Sequence, residues 1–572
     1  MISLTRIRDR KLVQWAMAYL AGAWLTLQVC DVIGDRFGWP DAWLRVLIAV
    51  LGVGFIAAVI VAWYHGERGA QRVSGPELVM LTILLVIGGA AVALVAGDEP
   101  EAQPAVHSLN GPPQAVAVPT DQASIAVLPF DNTSSDPEQE YFSDGLTEEL
   151  MNALAQTPGL RVAALTSAFA FKGQDVAVDS IGRALHVAWV VEGSVRKEGN
   201  RLRITAQLVD AASGFQRWSR LYVRDLADVF AVQDEISRAI VGELRLRVGA
   251  RAQSTVSETS NPEAHALLLR AIQTWQQGTG KAGFAEVERL LRAALARDPS
   301  YARAHSRLAL LHVYQAAYRT IPPEDGYRRA REEAGRALAL DSSQVEAYTA
   351  LGMAGDQNRW DFAASEAYYR RALEINPNDV SALQNHAINL VQMGRKEEAI
   401  RQAQRAVLVD PLSAGALNDL GLVYSLSGQF EQAIEQYRLG LALTPGASWL
   451  LDGLSWALAY AGRAEEAIEV SARSLAADSS DPFGLVAAAF AQARAGHRTV
   501  AARLLAALPE DEYYLRATVA AGLGDVDDAF ALLERAVARR EDGVRYLGAD
   551  PAFDSLRSDP RMDRLLRRIG LR

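Results

Sequence analysis

The chain has 572 residues, of which 50% are hydrophobic and 22% are charged, and its formal net charge is −10. This length predicts several domains, because single hydrophobic cores stop growing at about 250–300 residues. The mild negative charge argues against nucleic acid as the main partner, since phosphate binding needs a basic surface. The single cysteine, Cys30, excludes a disulfide framework, a cysteine-based zinc site and an iron–sulfur cluster.

Three apolar runs predict a membrane anchor over residues 1–97. The second and third runs contain no charge, and each approaches the roughly 20 residues that a helix needs to cross a bilayer. The first run contains Gln28 and Asp31, which are costly in lipid. We expect three spans, with two spans or buried core helices as the alternatives. The runs are Leu12–Ile33, Val46–Trp63 and Leu78–Ala96, so contact with lipid is expected within residues 12–96.

Charges flanking these runs predict their orientation. Four basic residues precede the first run, whereas acidic Asp98, Glu99 and Glu101 follow the third. By the positive-inside tendency, three spans keep the amino terminus in the cytoplasm and place the large carboxyl-terminal part on the opposite side. Two spans would leave that part in the cytoplasm. Residues 98–122 contain five prolines and predict an extended linker.

Residues 123–250 predict a small α/β domain. Ser143-Asp144 is expected to cap a helix over Leu146–Leu154, with Glu148 and Glu149 in its first turn, where the helix dipole favours acidic residues. Ala188–Val195 and Arg201–Asp210 form the clearest hairpin, because the returning strand alternates apolar and polar residues. The other expected elements are strands at Ser124–Phe130, Arg161–Leu165 and Phe215–Val223, a helix at Val178–His186 and a helix along Val232, Ile236, Ile240 and Leu244. This order predicts a mixed sheet with helices packed on it.

Four stretches of this segment carry a family resemblance: SIAVLPFDNTSSDPEQEYFSDGLTEEL, TSAFAFKG, VVEGSVRKEGNRLRITAQLVDAASG and VQDEI. Together they resemble the TolB-amino-terminal-like domain of bacterial membrane proteins. The resemblance implies a binding or assembly module, a bacterial inner membrane and a carboxyl-terminal part in the periplasm. Relatives often carry a cytoplasmic output domain such as a cyclase before the membrane. Only 11 residues precede the first apolar run, so no such domain is expected here.

The carboxyl-terminal half shows a period of 34 residues. Gly394, Gly428, Gly462 and Gly496 follow this spacing, which is the length of a tetratricopeptide repeat. The surrounding sequence resembles that family and implies paired helices that stack into an all-α superhelix. We expect about eight helical pairs over residues 258–541 and a capping segment over residues 542–572.

Three irregularities interrupt the period. An insertion is expected around Thr320–Gly326, one extra residue lies near Asn358–Trp360, and the last repeat is shortened.

The first helix of each pair is expected to line an inner groove that binds a protein or peptide partner. Gln384 stands where carboxylate-clamp relatives carry lysine, so a clamp for free carboxyl termini is not supported. Core packing is the alternative for Leu422 and Trp456, and it is the favoured interpretation of Trp449. By family register the groove residues are Gln384, Asn385, Ile388, Asn418, Leu422, Asp452 and Trp456.

Catalytic, cofactor and metal sites are not expected. His305 and His312 are seven residues apart but lack further ligands at useful spacing, and capping accounts for the acidic cluster of Asp144, Glu148 and Glu149. The sequence therefore predicts a membrane-anchored, non-enzymatic scaffold. A signalling component that relays binding through Gln28 and Asp31 is the main alternative, and a cyclase-related enzyme is a weaker one. Self-association is left open.

Overall fold

The computed structural model describes residues 123–134, 139–199, 201–225, 229–244, 259, 261–277, 281–357, 359–477, 479 and 481–571. Every described residue belongs to one compact unit. The three apolar runs and the proline-rich linker lie outside the described residues. Among the residues that are described, no helix has the length and apolar character needed to cross a membrane.

An α/β module forms the first part of the described chain, residues 123–244. Its sheet is mixed, because β1 pairs in parallel with β3 and β4, whereas β4, β5 and β6 are successively antiparallel. The strands are β1 (Ala123–Val127), β2 (Asp131–Asn132), β3 (Leu160–Val162), β4 (Trp189–Glu198), β5 (Arg201–Asp210) and β6 (Gln216–Asp225). The helices are α1 (Glu140–Ala155), α2 (Leu165–Phe169), α3 (Val178–Ala184) and α4 (Val229–Glu243).

The expected mixed sheet is confirmed, with the strand order β3-β1-β4-β5-β6 and β2 beside β4. The hairpin of β4 and β5 also forms as expected, and Glu198 pairs with Arg201 at its end. Alternation along β5 buries Leu202, Ile204 and Leu208 against the helices. This face gives the module its core.

The start of α1 differs from the sequence expectation. The helix begins at Glu140, and the residue before it, Gln139, makes no side-chain capping bond. Ser143 and Asp144 therefore lie inside the helix and are buried. The capping prediction was wrong because these polar side chains face other parts of the fold. The expected continuation of β3 to Leu165 was also wrong, since α2 begins there.

Eight helical pairs follow the module in the described residues, as the 34-residue period predicts. The turn glycines Gly394, Gly428, Gly462 and Gly496 have φ between 78° and 82°, a conformation that side-chain-bearing residues rarely adopt. The pairs are α5–α6 (Pro262–Gln277, Lys281–Arg297), α7–α8 (Ala302–Ala317, Pro323–Leu340), α9–α10 (Val345–Asp356, Phe362–Ile375), α11–α12 (Val380–Gln392, Lys396–Val409), α13–α14 (Ala414–Leu426, Phe430–Leu443), α15–α16 (Ser448–Tyr460, Ala464–Ala477), α17–α18 (Pro482–Arg494, Arg498–Ala507) and α19–α20 (Tyr513–Gly522, Val526–Arg539).

Close packing joins neighbouring pairs around one aromatic ring. A Cβ atom added to Gly421 of α13 would lie 2.8 Å from the ring of Tyr437, and one added to Gly453 of α15 would lie 2.3 Å from it. Tyr437, on α14, is 3% exposed. The two glycines therefore create the space that this ring fills between successive repeats.

The irregular turns bring distant repeats together. Arg319, in the turn between α7 and α8, has a φ of 52°. Its guanidinium donates to Glu512 Oε1 at 2.8 Å, just before α19. The turn within the second pair is thereby connected to the turn between the seventh and eighth pairs. Trp360 follows α9 with a φ of 58°, and its ring lies against the guanidinium of Arg540.

The C-terminal segment, residues 541–571, folds back onto the array. It comprises two 3-10 turns, Asp542–Tyr546 and Pro551–Leu556, and the helix α21 (Pro560–Arg568). Its apolar side chains are buried, which fits the expected capping role. They include Val544, Leu547, Phe553, Leu556, Met562, Leu565 and Ile569.

Candidate functional site: the inner face of the repeat array

The first helices of successive pairs form one continuous face. From α7 to α19, each first helix packs against the first helix of the next pair. This arrangement places side chains from neighbouring repeats beside one another, and we call the surface the inner face. It is the surface on which the sequence predicted a partner groove.

Two of the predicted groove residues, Gln384 and Asn418, bond the carboxylate of Asp419. Gln384 donates its side-chain amide to Asp419 Oδ2 at 2.9 Å, and Asn418 donates to Asp419 Oδ1 at 3.2 Å. Asn385 donates to the backbone carbonyl of Ser381 at 2.8 Å, within its own helix. Ile388 is half-buried one turn further along α11. The structure therefore brings these residues of α11 and α13 together.

The other predicted groove residues are less accessible. Asp452 is 6% exposed, and its Oδ1 lies 3.4 Å from the position that a Cβ on Gly484 would take. Trp456 packs against Phe490 with ring centroids 4.6 Å apart, and Leu422 is half-buried against the same apolar core. Packing thus accounts for both apolar side chains.

Carboxyl groups on and next to the inner face have raised pKa values. Burial raises the pKa of Asp379, Asp419 and Asp452 to about 6 in each case. Burial also raises the pKa of Asp356 to about 7. These groups bind protons more tightly in the folded chain than in water, because the buried surroundings disfavour their charged forms.

The C-terminal segment reaches Asp356 at the end of α9. The Arg545 guanidinium lies 3.8 Å from Asp356 Oδ1, and the Tyr369 hydroxyl donates to Asp356 Oδ2 at 2.9 Å. Asp356 is 2% exposed, and Arg545 is also buried. Sequence analysis missed this ion pair, since 189 positions separate its members and neither belongs to a motif.

A second carboxylate of the segment binds two tyrosines of the array. Tyr460 donates to Asp550 Oδ1 and Tyr514 donates to Asp550 Oδ2, each at 2.8 Å. The backbone of Gly543 also passes close to Tyr514, because a Cβ there would lie 2.3 Å from its ring. The segment consequently contacts the array near the ends of α9 and α15 and near the start of α19.

The α/β module contacts the opposite side, where the first helices begin. Ser167 donates both its backbone N–H, at 3.0 Å, and its hydroxyl, at 2.6 Å, to Asp410 Oδ1. Ala164 N donates to Val409 O at 2.8 Å, and Asn378 donates to Leu160 O at 3.2 Å. We call this side of the array the start rim. Its turns before α11 and α13 are covered by the module.

A charge network completes the contact between the module and the first repeats. Arg303 on α7 donates to Glu148 Oε1 and to Glu149 Oε1, each at 3.1 Å, and Arg307 also pairs with Glu148. Burial lowers the pKa of the neighbouring His265. The capping interpretation of Glu148 and Glu149 was wrong, because both lie mid-helix and pair with arginines about 155 positions away.

Two histidines of the array, His305 and His312, have structural partners. His305 Nδ1 lies 2.6 Å from Glu333 Oε2 and its Nε2 lies 3.0 Å from Pro299 O. His312 Nδ1 lies 2.8 Å from Gln315 Oε1. Within the described part of the chain, no group of three or more His, Cys, Asp or Glu side chains is arranged to hold a metal ion.

Family models support the assignment of the repeats. Two models described as tetratricopeptide repeat match residues 345–379 and 385–448. Together they span the helical pairs from α9 to α14 and reach the first residue of α15. The helical array is therefore built of tetratricopeptide repeats, and the chain combines this all-α superhelix with a small mixed sheet.

One curated relative is similar over part of its length. The protein named "Putative adenylate cyclase 3" from Rhizobium meliloti (strain 1021) is 39% identical over 247 residues, which cover 42% of this chain and 41% of the relative. The chain thus spans about two fifths of that relative.

Solved structures with related repeats include a tetratricopeptide repeat protein from Parabacteroides merdae ATCC 43184. It is 15% identical, with 46% of this chain and 98% of that chain covered and a TM-score of 0.33. YrrB, described as a tetratricopeptide repeat protein with an unusual peptide-binding site, is 18% identical. The match covers 34% of this chain and 95% of YrrB, with a TM-score of 0.26.

Proposed function

We propose that this protein is a membrane-anchored, non-enzymatic scaffold that binds protein or peptide partners through its tetratricopeptide repeats. The observation that carries the proposal is the continuous inner face made by the first helices. On this face the polar side chains of Gln384, Asn385 and Asn418 remain partly accessible. They lie between the region covered by the α/β module and the region covered by the C-terminal segment. Polar side chains on a rigid helical surface suit an extended peptide, whose backbone needs hydrogen-bond partners.

The membrane part of the proposal rests on the sequence. Two uncharged runs, Val46–Trp63 and Leu78–Ala96, have a length that suits helical spans. With Leu12–Ile33 as a further span, the repeats lie in the periplasm of a bacterial inner membrane. The proline-rich linker then separates the α/β module from the bilayer.

The α/β module is proposed to be TolB-amino-terminal-like. Its support is the combination of the four quoted sequence stretches with a mixed sheet in which β4 and β5 form the long central hairpin. The extensive contacts of the module with the array support an assembly role, because it fixes the array's geometry. A cyclase activity is not part of the proposed function, since the shared region is 41% of that relative.

Site-specific photo-crosslinking tests the partner surface. A photoreactive amino acid at Asn385 or Asn418 of the full chain is expected to yield adducts with another protein in cells. The same residue at Tyr368, which is exposed on the second helix α10, is the matched control. Adducts that are equally abundant at Tyr368, or absent from both inner-face positions, would argue against partner binding on this face.

A compartment reporter tests the proposed location independently. An enzyme that is active only in the periplasm, fused to the carboxyl terminus of the full chain, is expected to be active. The matched fusion of an enzyme that is active only in the cytoplasm is expected to be silent. The reverse pattern would contradict the three-span arrangement. It would not decide whether the inner face binds a partner, which the crosslinking experiment tests separately.

A further inference from the structure

The last strand of the α/β module, β6 (Gln216–Asp225), has one open edge. Within the described residues it pairs with β5 alone, and no other described backbone group bonds it from the opposite side. Eight of its ten residues are exposed. A long strand edge of this kind presents a row of backbone N–H and C=O groups that can pair with another extended chain.

One face of β6 is basic at this edge. The register with β5 places Tyr222, which is 3% exposed, opposite the buried Ile204, and directly opposed residues lie on the same face of a sheet. Arg220 and Arg224, two positions to either side of Tyr222, share its face because side chains alternate along a strand. Arg224 pairs with Glu235 of α4 at 3.3 Å.

The other face of β6 is apolar at the same edge. Leu221 and Val223 are 47% and 41% exposed. Exposed apolar side chains also occur on the array, where Trp449 is 45% exposed, so the expectation that Trp449 packs in the core was wrong. Trp449 lies on a helix, whose hydrogen bonds run within the helix, and such a backbone cannot pair with an extended segment. The edge of β6 differs because it combines apolar side chains with backbone groups that are available for pairing.

The charges of the last two strands are mainly positive. Residues 201–225 contain five arginines and two aspartates, in a chain whose net charge is −10. The carboxylate of Asp210 accepts hydrogen bonds from its own turn, and Asp225 lies opposite Arg201 in the ladder. Three arginines form no ion pair with any carboxylate that the structure describes, and they are Arg203, Arg217 and Arg220.

This charge pattern determines which occupant fits the edge. A second copy of the chain would extend the sheet by pairing β6 with β6 about a two-fold axis, which sets equal faces side by side. Arg220 and Arg224 of the two copies would then be neighbours, and like charges on adjacent strands are destabilising. An acidic strand meets the opposite condition. Because side chains alternate between faces, a segment with alternating acidic and apolar residues fits the basic face and the apolar face together.

We propose that β6 is a strand-addition site for an extended partner segment in which acidic and apolar residues alternate. The backbone of the partner extends the sheet beyond β6. Its carboxylates lie beside Arg220 and Arg224, and its apolar side chains cover Leu221 and Val223. This surface is separate from the inner face of the array, so partner binding at either surface can fail without the other.

Fluorescence anisotropy with the full chain in detergent micelles tests the proposal. The probe is a labelled peptide in which valine and glutamate alternate over about eight residues, the length of an ordinary strand. One matched peptide carries lysine in place of glutamate. The other has every backbone nitrogen methylated, which removes its hydrogen-bond donors and keeps its charge. The glutamate peptide is expected to bind at least about tenfold more tightly than either, since strand addition needs both charge complementarity and backbone pairing.

A charge reversal locates the binding at β6. Arg220→Glu is expected to weaken the glutamate peptide at least about tenfold. Arg183→Glu is the matched control and is expected to leave the affinity unchanged, because the Arg183 side chain is 73% exposed on α3 of the same module. A glutamate peptide that does not bind, equal binding of the methylated peptide, or no effect of Arg220→Glu would overturn the proposal. Tighter binding of an oligothymidine would also overturn it, and so would an abundant disulfide-linked dimer of Leu221→Cys chains that carry Cys30→Ser.

Discussion

The guanidinium of Arg545 lies 3.8 Å from the carboxylate of Asp356, and both side chains are buried. The pair joins the C-terminal segment to the third repeat, far from it in sequence. Burial raises the pKa of Asp356, although Arg545 opposes this change. The contact therefore combines an electrostatic attraction with a large desolvation cost. Removing one partner leaves the other group buried without its countercharge, so it costs more stability than replacing both partners.

Replacing Arg545 by methionine is expected to destabilise the fold by about 1–3 kcal/mol at pH 7.5, because the buried Asp356 carboxyl loses its countercharge and must take up a proton. Urea unfolding followed by circular dichroism measures the change. Arg567→Met is the control, since Arg567 pairs with Asp563 on the surface with its side chain 70% exposed, and such pairs contribute about 1 kcal/mol or less. Equal losses for the two variants would contradict a buried pair. Asp356→Asn should recover part of the stability lost in Arg545→Met.

The raised pKa values of four carboxyl groups are expected to add stability as the pH falls from about 7 towards about 5, whereas four histidines with lowered pKa values act in the opposite direction. The native pKa of Asp419 is about 6, above its ordinary value of 3.8. Between these values the folded chain holds a proton that the unfolded chain has released, so acidification favours folding. Asp356, Asp379 and Asp452 act in the same direction. Urea midpoints at pH 5 and pH 7.5 measure the effect.

Asp419→Asn isolates one contribution to this pH dependence. The variant is expected to reduce the gain between pH 7.5 and pH 5 by about 1.4 kcal/mol, since about one pH unit separates the native pKa of about 6 from pH 5 and one unit corresponds to about 1.4 kcal/mol. Asp554→Asn is the control, because the Asp554 side chain is 64% exposed. An unchanged pH dependence in Asp419→Asn would show that its carboxyl titrates normally in the folded chain.

Ser167→Ala is expected to loosen the module from the array. The serine hydroxyl donates to Asp410 and accepts the N–H of Leu412 at 2.9 Å, so the alanine leaves buried polar groups unpaired at a cost of about 1–3 kcal/mol. Hydrogen exchange should become faster over residues 160–169 and 408–413. Ser213→Ala, in the exposed turn after β5, is the control. Unchanged exchange at both contact segments would count against a tight contact.

Gly421→Ala is expected to destabilise the array by about 1–3 kcal/mol, because the new methyl group would overlap the Tyr437 ring. Gly415→Ala is a control in the same helix, since the nearest atom to its Cβ position is 3.6 Å away. The control should be neutral or stabilising, as alanine favours helix over glycine by up to about 1 kcal/mol. Thermal unfolding of both variants distinguishes crowding from helix propensity, and a loss of similar size in both would exclude crowding.

Sequence patterns predicted the turns and strands whose conformation is determined by residues close to them in the sequence. The 34-residue spacing of Gly394, Gly428 and Gly462 predicted the turns, since each glycine adopts a positive φ. Alternation along Arg201–Asp210 predicted the hairpin and its buried face. In both cases the residues that set the conformation lie within a few positions of it.

Contacts between distant segments were not predicted. Glu148 and Glu149 resemble first-turn residues by composition. Nothing in the neighbouring sequence indicates that they pair with Arg303. The same holds for Asp410, which looks like an ordinary helix-end residue but binds Ser167 of the module. Which side of the inner face is covered therefore depends on the assembled tertiary structure.

The candidate site was predicted in part. The polar residues Gln384 and Asn418 meet around Asp419, as their equivalent positions in neighbouring repeats suggest. Asp452 has the same register position but is buried, because α17 begins close to it. Register predicts which helix carries a side chain, whereas its accessibility depends on the packing of the next repeat.

The hydrogen bond between Arg319 and Glu512 has a mechanical consequence. In a linear array of repeats, melting begins at the two ends because each terminal unit has one neighbour instead of two. A bond between the second pair and the turn before the eighth pair closes most of this array into a loop. Because the Arg319 side chain is 63% exposed, the bond contributes about 1 kcal/mol or less. The loop should therefore open early under force or heat, and the repeats between its ends then melt as a linear array.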